Sequence, residues 1–167
     1  ARRRSAIRVV RTVHSTRSLE PRLFQGTAHR KTDGLIVVCE SHAALLRERF
    51  DVSSDRIAVV RGAVDADRFS PPGPDMRGEL GLGPQTPVVG IVARIKPDRK
   101  HLELLAAFKA LSPRLPEARL LIIGRGEGLD ELRAAVSEHR LDASVIFAGY
   151  RTGPELAAAY RTLDVKV

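Results

Sequence analysis

Short apolar runs alternate along the chain with stretches of helical spacing. IRVVRTV (7–13) is rich in β-branched residues and predicts a strand. LIVVCE (35–40) is a continuous apolar run, as in a strand buried on both faces of a parallel sheet. Ser41 is a good N-cap residue, and HAALLRERF (42–50) after it has helical spacing. RIAVVR (56–61) predicts another buried strand. HSTRS (14–18) between them is a polar turn, and residues 19–32 fit a helix or an irregular segment.

The pattern then breaks. DADRFSPPGPDMRGELGLGPQTP (65–87) holds five of the ten prolines and four glycines. It predicts a loop or linker, with one helical turn at Asp75–Leu80. Beyond it the order is regular: PVVGIVA (87–93) strand, HLELLAAFKAL (101–111) helix, ARLLIIG (118–124) strand, GLDELRAAVSEHR (128–140) helix, SVIFAG (144–149) strand, PELAAAYR (154–161) helix, and DVKV (164–167) opening another strand. Such alternation implies βαβ units, parallel sheets and right-handed crossovers. The expectation is an α/β protein whose last strand is cut short, hence a fragment of a longer chain.

Composition narrows the function. The 167 residues are 43% hydrophobic, enough for a packed core. The 4% aromatic share and the lack of Trp argue against single-strand nucleic-acid binding by stacking. The net charge is +8, with 23 Arg against 5 Lys, which suits an anionic partner or reflects an Arg-rich compositional bias. A lone cysteine, Cys39, rules out an internal disulfide, and a buried inert thiol is the plain reading of it. No apolar run reaches membrane-span length, and ARRRSAIRVV is too charged for a signal peptide. The expected location is the cytoplasm, with the inner membrane face compatible.

In open α/β sheets ligands bind beyond the carboxyl ends of the strands. Four turns therefore matter. Arg94, Lys96, Arg99 and Lys100 follow the strand at 87–93, with Asp98 the one acid among them. GRGEG follows the strand at 118–124 and supplies Gly124, Arg125 and Gly126. Tyr150, Arg151 and Thr152 follow the strand at 144–149, and His14, Ser15 and Thr16 follow the first strand. Crowded cations repel unless an anion is shared, and Arg with Lys suits a diphosphate; a solvated basic loop is the bland alternative. GRGEG fits either a ligand-approaching turn or a plain strand-to-helix turn, since Leu129 stands where a dinucleotide fingerprint has its third glycine. His14 could bind or protonate a substrate, or serve structure alone. His29, His42, His101 and His139 show no metal-ligand spacing, and Asp33, Asp65 and Asp67 read as turn or cap residues.

The segments RTVHSTRSL, DGLIVVCESHAALL, RIAVVRGAVDADRFSP, VVGIVARIKPDRKHLELLAAFKAL, ARLLIIGRGEG and VIFAGYRTGPELAAAY, in this order, cover nearly the whole chain. As a series they resemble the GT-B-fold retaining glycosyltransferases, the nucleotide-sugar enzymes related to glycogen synthase, sucrose synthase and bacterial mannosyltransferases. The resemblance implies two Rossmann-like domains, both incomplete here, with the active site in the cleft between them. Residues 1–70 match the end of the acceptor-side domain, 71–86 the interdomain linker, and 87–167 the first half of the donor-binding domain. It implies that Arg94 grips the donor diphosphate and that its partner is Arg99 or Lys100, since the family's glycine after the partner lysine is missing. Gly124 and Gly126, with Arg125 between them, match the turn where the donor nears the backbone. Tyr150 and Arg151 lie where the family holds the nucleobase, largely by backbone groups, and His14 matches a cleft histidine that contacts the transferred sugar or acceptor.

Two departures stand out. RGAVD replaces the family's Pro-Asn-Gly-Val-Asp segment, so Arg61, Gly62 and Ala63 differ. The paired-glutamate motif of the donor domain does not occur in the chain. The expected partners are a nucleotide-sugar donor, which is a substrate, and an acceptor that is a sugar, glycan or lipid-linked molecule. Peripheral membrane contact is compatible with such an acceptor, and no metal or other cofactor is expected. A Rossmann-type module that binds a phosphorylated ligand or a dinucleotide is the first alternative, but for a dinucleotide Ala148-Gly149-Tyr150 offers no ribose-binding acid. A nucleic-acid-binding protein is the second, but the helices at 101–111 and 128–140 mix acids with bases.

Overall fold

The computed structural model describes residues 7–20 and 24–167. The basic start ARRR and part of the segment 19–32 lie outside the described residues. The chain divides into two compact units, Ala1–Val64 and Asp65–Val167.

The first unit is a three-stranded parallel sheet in the order β1 (Val10–Val13), β2 (Gly34–Val37), β3 (Ile57–Val59). Helix α1 (Gln25–Lys31) precedes β2, and α2 (Glu40–Phe50) follows it. The continuous apolar run becomes the central strand, where Leu35 and Val37 are buried. Helix α2 places Ala43, Leu46 and Phe50 in the same core, at the spacing of one helical face. The helix starts earlier than the sequence pattern gives. Cys39, not Ser41, is the N-cap, and the Ser41 hydroxyl lies 3.1 Å from the Cys39 Sγ instead of capping the backbone.

The second unit is a four-stranded parallel sheet in the order β6-β5-β4-β7, built from β4 (Val88–Val92), β5 (Arg119–Ile123), β6 (Val145–Gly149) and β7 (Val165–Lys166). Strand β5, buried from Leu120 to Ile123, divides two cores by its alternation. Leu120 and Ile122 face α4 (His101–Leu111) and α5 (Leu129–Glu138), where they meet Leu105, Phe108, Leu132 and Val136. Leu121 and Ile123 face the other side, with Ala159 of α6 (Gly153–Thr162) and Met76. The chain thus leaves β5 towards one face and β6 towards the other, and their diverging ends open a crevice.

The Pro/Gly-rich segment is packed into this second unit. It contains a short helix, α3 (Ala66–Phe69), where the sequence pattern gives only a loop; Asp65 caps it by accepting from the Arg68 backbone N–H. Phe69 meets Tyr160 of α6 edge-on at 5.8 Å. Met76 is 3% exposed, and its N–H donates to the Thr162 hydroxyl at 2.8 Å. The expected turn is present in the Leu80 N–H to Met76 carbonyl bond at 2.9 Å. Arg77 donates to the Thr86 carbonyl at 2.7 Å and pairs with Asp164 at 3.1 Å.

Candidate functional site

The turns after β4, β5 and β6 surround a cavity of about 280 Å³ that reaches the first turn of α6. Arg94, Gly124, Arg125, Tyr150 and Arg151 all line it, together with Thr152. Five of the residues expected to bind a donor are therefore gathered in one place. The floor is the apolar end of β4 and β5, Val92 and Ile123.

Backbone packing explains the two glycines. The β4 and β5 turns continue to pair beyond the strands, through the Ala93 N–H to the Ile123 carbonyl at 3.1 Å and the Ile95 N–H to the Arg125 carbonyl at 3.0 Å. A Cβ on Gly124 would fall on the Ala93 carbonyl, and one on Gly126 on the Ile95 carbonyl. These positions require glycine with or without a ligand. Gly126 packs against the Ile95 backbone and does not line the cavity.

The cations of the β4 turn are mostly compensated. Lys96 pairs with Glu127 at 3.1 Å and Lys100 with Glu103 at 2.9 Å, while Arg99 lies 3.9 Å from Asp98. The Glu127 carboxyl is held below the usual range by its own backbone N–H and by Lys96. The Glu103 carboxyl is lowered, and the Lys100 ammonium raised, by their mutual hydrogen bond. The sequence pattern showed one acid in the turn; folding brings up two more. Among the described residues the Arg94 side chain, which lines the cavity, has no direct hydrogen bond or ion pair; its charge is felt by the Glu127 carboxyl, which Lys96 already pairs.

Lys100 and Arg99 do not line that cavity. Lys100 lines a second one of about 310 Å³, beside Lys96, His101, Glu103 and Glu131. His101 is 5% exposed, and among the described residues neither ring nitrogen makes a hydrogen bond of ordinary geometry. Burial lowers its pKa, partly offset by the backbone of Lys96. Lys100 itself takes φ +59°, ψ +34°, left-handed backbone that glycine adopts most readily.

The β6 turn is held from outside the cavity. The Arg151 guanidinium donates to the Ala148 carbonyl at 2.9 Å, pairs with Glu79 at 2.7 Å and lies 3.7 Å from Glu155. Arg125 stacks over the Tyr150 ring at 4.3 Å, and Tyr150 remains 57% exposed. His14 belongs to the first unit, exposed just past β1. Glu103 was detectable from its three-residue spacing to Lys100, at the start of the predicted helix. Glu127 lay inside the quoted GRGEG run without an assigned partner. Glu79 stands 72 positions before Arg151, and no local pattern announces it. Among the described residues no group of three or more His, Cys, Asp or Glu side chains could hold a metal ion.

Residues 74–167 match the model of glycosyl transferases group 1, and residues 1–68 match that of glycosyltransferase family 4. The chain belongs to the glycosyl transferases group 1 family. It is 34% identical over 141 residues to the D-inositol 3-phosphate glycosyltransferase of Mycobacterium sp. (strain KMS), covering 81% of this chain and 31% of that protein. It is 29% identical over 143 residues to the 2-deoxystreptamine glucosyltransferase of Streptomyces kanamyceticus, covering 83% and 37%. The chain thus spans about a third of the length of these relatives. Among solved structures it resembles Anabaena Alr3699/HepE in complex with UDP and glucose, with a TM-score of 0.67 at 20% identity over 91% of this chain and 44% of that one. It also resembles sucrose-phosphate synthase from Thermosynechococcus elongatus, with a TM-score of 0.68 at 21% identity over 94% and 43%. The fold is the GT-B type, present here in part.

Proposed function

We propose that the second unit binds the nucleoside diphosphate of a nucleotide-sugar donor, and that the protein to which the chain belongs transfers a hexosyl group from it with retention of configuration. The observation that carries the reading is the Arg94 guanidinium, without a direct hydrogen-bond or ion-pair partner among the described residues, in a crevice at the carboxyl ends of β4, β5 and β6. In the transfer the bond between the sugar carbon and the phosphate oxygen breaks, and the diphosphate leaves with the electron pair. Fixed cations at that oxygen stabilise the charge as it develops.

The backbone of Lys100 favours one of the two registers left open by the sequence. The family pattern has the partner lysine followed by glycine, and Lys100 takes the backbone conformation typical of glycine. Lys100 then stands in the glycine's place, and Arg99 in the lysine's. We assign Arg94 and Arg99 to the diphosphate and Arg125 and Tyr150 to the base end of the cavity. His14 is assigned to the transferred sugar or the acceptor. The two relatives named above act on inositol 3-phosphate and 2-deoxystreptamine, both six-membered cyclitols, which supports a cyclitol or its phosphate as the acceptor class. The 167 residues hold no paired-glutamate motif, so this polypeptide is expected to bind the donor nucleotide without turning it over.

Calorimetric titration of UDP and GDP tests the reading. Saturable binding by the chain, weakened at least about tenfold in Arg94→Ala, is expected from the loss of a charge-assisted bond to phosphate. Equal binding by both proteins would show nonspecific attraction to a basic surface and would overturn the site.

A further inference from the structure

Arg151 is among the residues expected to hold the donor, yet its side chain is fully engaged. Its Nε donates to the Ala148 carbonyl at 2.9 Å, one Nη lies 2.7 Å from Glu79, and the other lies 3.7 Å from Glu155. The side chain is 22% exposed. It ties three pieces of chain together: the end of β6, the first turn of α6, and the segment before β4. The backbone it spans is otherwise tied only at its ends, where the Gly149 carbonyl accepts from the Gly124 N–H at 2.9 Å and the Thr152 carbonyl from the Leu156 N–H at 3.2 Å. Gly149 at φ +72° and Gly153 at φ +52° flank Tyr150, Arg151 and Thr152 on either side. Residue 148 is skipped in the β5–β6 register, so the ladder has already loosened there. Among the described residues the backbone N–H groups of Arg151 and Thr152 have no hydrogen-bond partner, although both residues line the cavity. Unpartnered donors at a cavity rim suit the acceptor edge of a flat heterocycle, provided the loop that carries them is fixed.

We propose that Glu79 and Arg151 form a clamp that fixes the base-facing loop, with Arg151 a positioning residue and not a ligand of the donor. This rests on the donor-site reading given above. It assigns a role in nucleotide affinity to Glu79, which lies outside every turn at the sheet's carboxyl edge. The clamp acts on the base alone, because the diphosphate is met by the β4 turn, which Arg151 does not touch.

The test compares UDP with inorganic pyrophosphate, which has the diphosphate and no base, by calorimetry on the chain and its variants. Glu79→Gln keeps the side-chain volume and removes the charge. It is expected to weaken UDP about three- to fivefold, the scale of a half-exposed ion pair, and to leave pyrophosphate unchanged. Arg151→Met should do at least as much, and adding Glu79→Gln to Arg151→Met should change nothing further. UDP affinity unaltered in Glu79→Gln overturns the clamp, as do parallel losses for UDP and pyrophosphate or additive effects of the two changes. A wild-type chain that binds neither UDP nor GDP is a different result, and it overturns the donor-site reading beneath the clamp.

Discussion

Replacing Lys100 by glycine separates the two candidate phosphate ligands. A non-glycine residue at φ +59° carries a backbone penalty of about 1 kcal/mol. Glycine removes that penalty but gives back roughly 0.5–1 kcal/mol of chain entropy. The lost pair with Glu103 weighs little, because both side chains are largely exposed. The net change in stability is therefore close to zero, and the melting temperature should move by no more than about 2 °C. Nucleotide affinity is the discriminating reading. With Arg99 as the diphosphate partner, Lys100→Gly should bind UDP as the parent does, whereas Arg99→Ala should lose about 1.5–3 kcal/mol, more than tenfold. Calorimetry on both variants, with melting curves as the folding control, decides it. Loss of UDP affinity in Lys100→Gly with Arg99→Ala unaffected would refute the register and the backbone argument behind it.

Two further variants probe the same turns. Gly126→Ala would drive a Cβ into the Ile95 carbonyl and should destabilise the second unit by about 1–3 kcal/mol, seen as a fall of several degrees in its thermal transition. His101 and His29 both have pKa values lowered by burial, so the unfolded chain takes up protons before the folded one. Their stabilising effect is complete above the ordinary histidine value of 6.5 and is lost as the pH falls through the folded values. Thermal melts from pH 7.5 to 5 should show this loss, and His101→Leu should flatten it by at most about 1.4 kcal/mol per pH unit. An unchanged slope in His101→Leu would remove His101 as a source.

Much of the fold was legible because each strand of the second unit is either a continuous apolar run or flanked by unmistakable helical spacing. LLII in β5 reads as a strand buried on both faces, and it is one. Helix α3 was missed because DADRFS is too short for a periodic signal and is followed at once by prolines. The packing of residues 71–86 was missed because its anchors are distant: Met76 bonds to Thr162, 86 positions away, and Arg77 to Asp164. The candidate site was legible as a set of turns, since the carboxyl ends of parallel strands lie along one edge of the sheet. The pairing of its charges was not. Arg94 and Arg151 look equivalent in sequence, and only Arg151 is engaged by Glu79 and Glu155. Gly124 and Gly126 likewise look like ligand-approach glycines, while the neighbouring carbonyls of Ala93 and Ile95 already forbid a side chain there.

The most direct measurement is an amide chemical-shift titration of the isotope-labelled chain with UDP. The account predicts saturable shifts at Arg94, Gly124, Arg125 and residues 150–153, with the turn at Arg99 moving in step. Shifts confined to the second cavity, around His101, Glu103 and Glu131, or scattered over the basic surface without saturation, would contradict it.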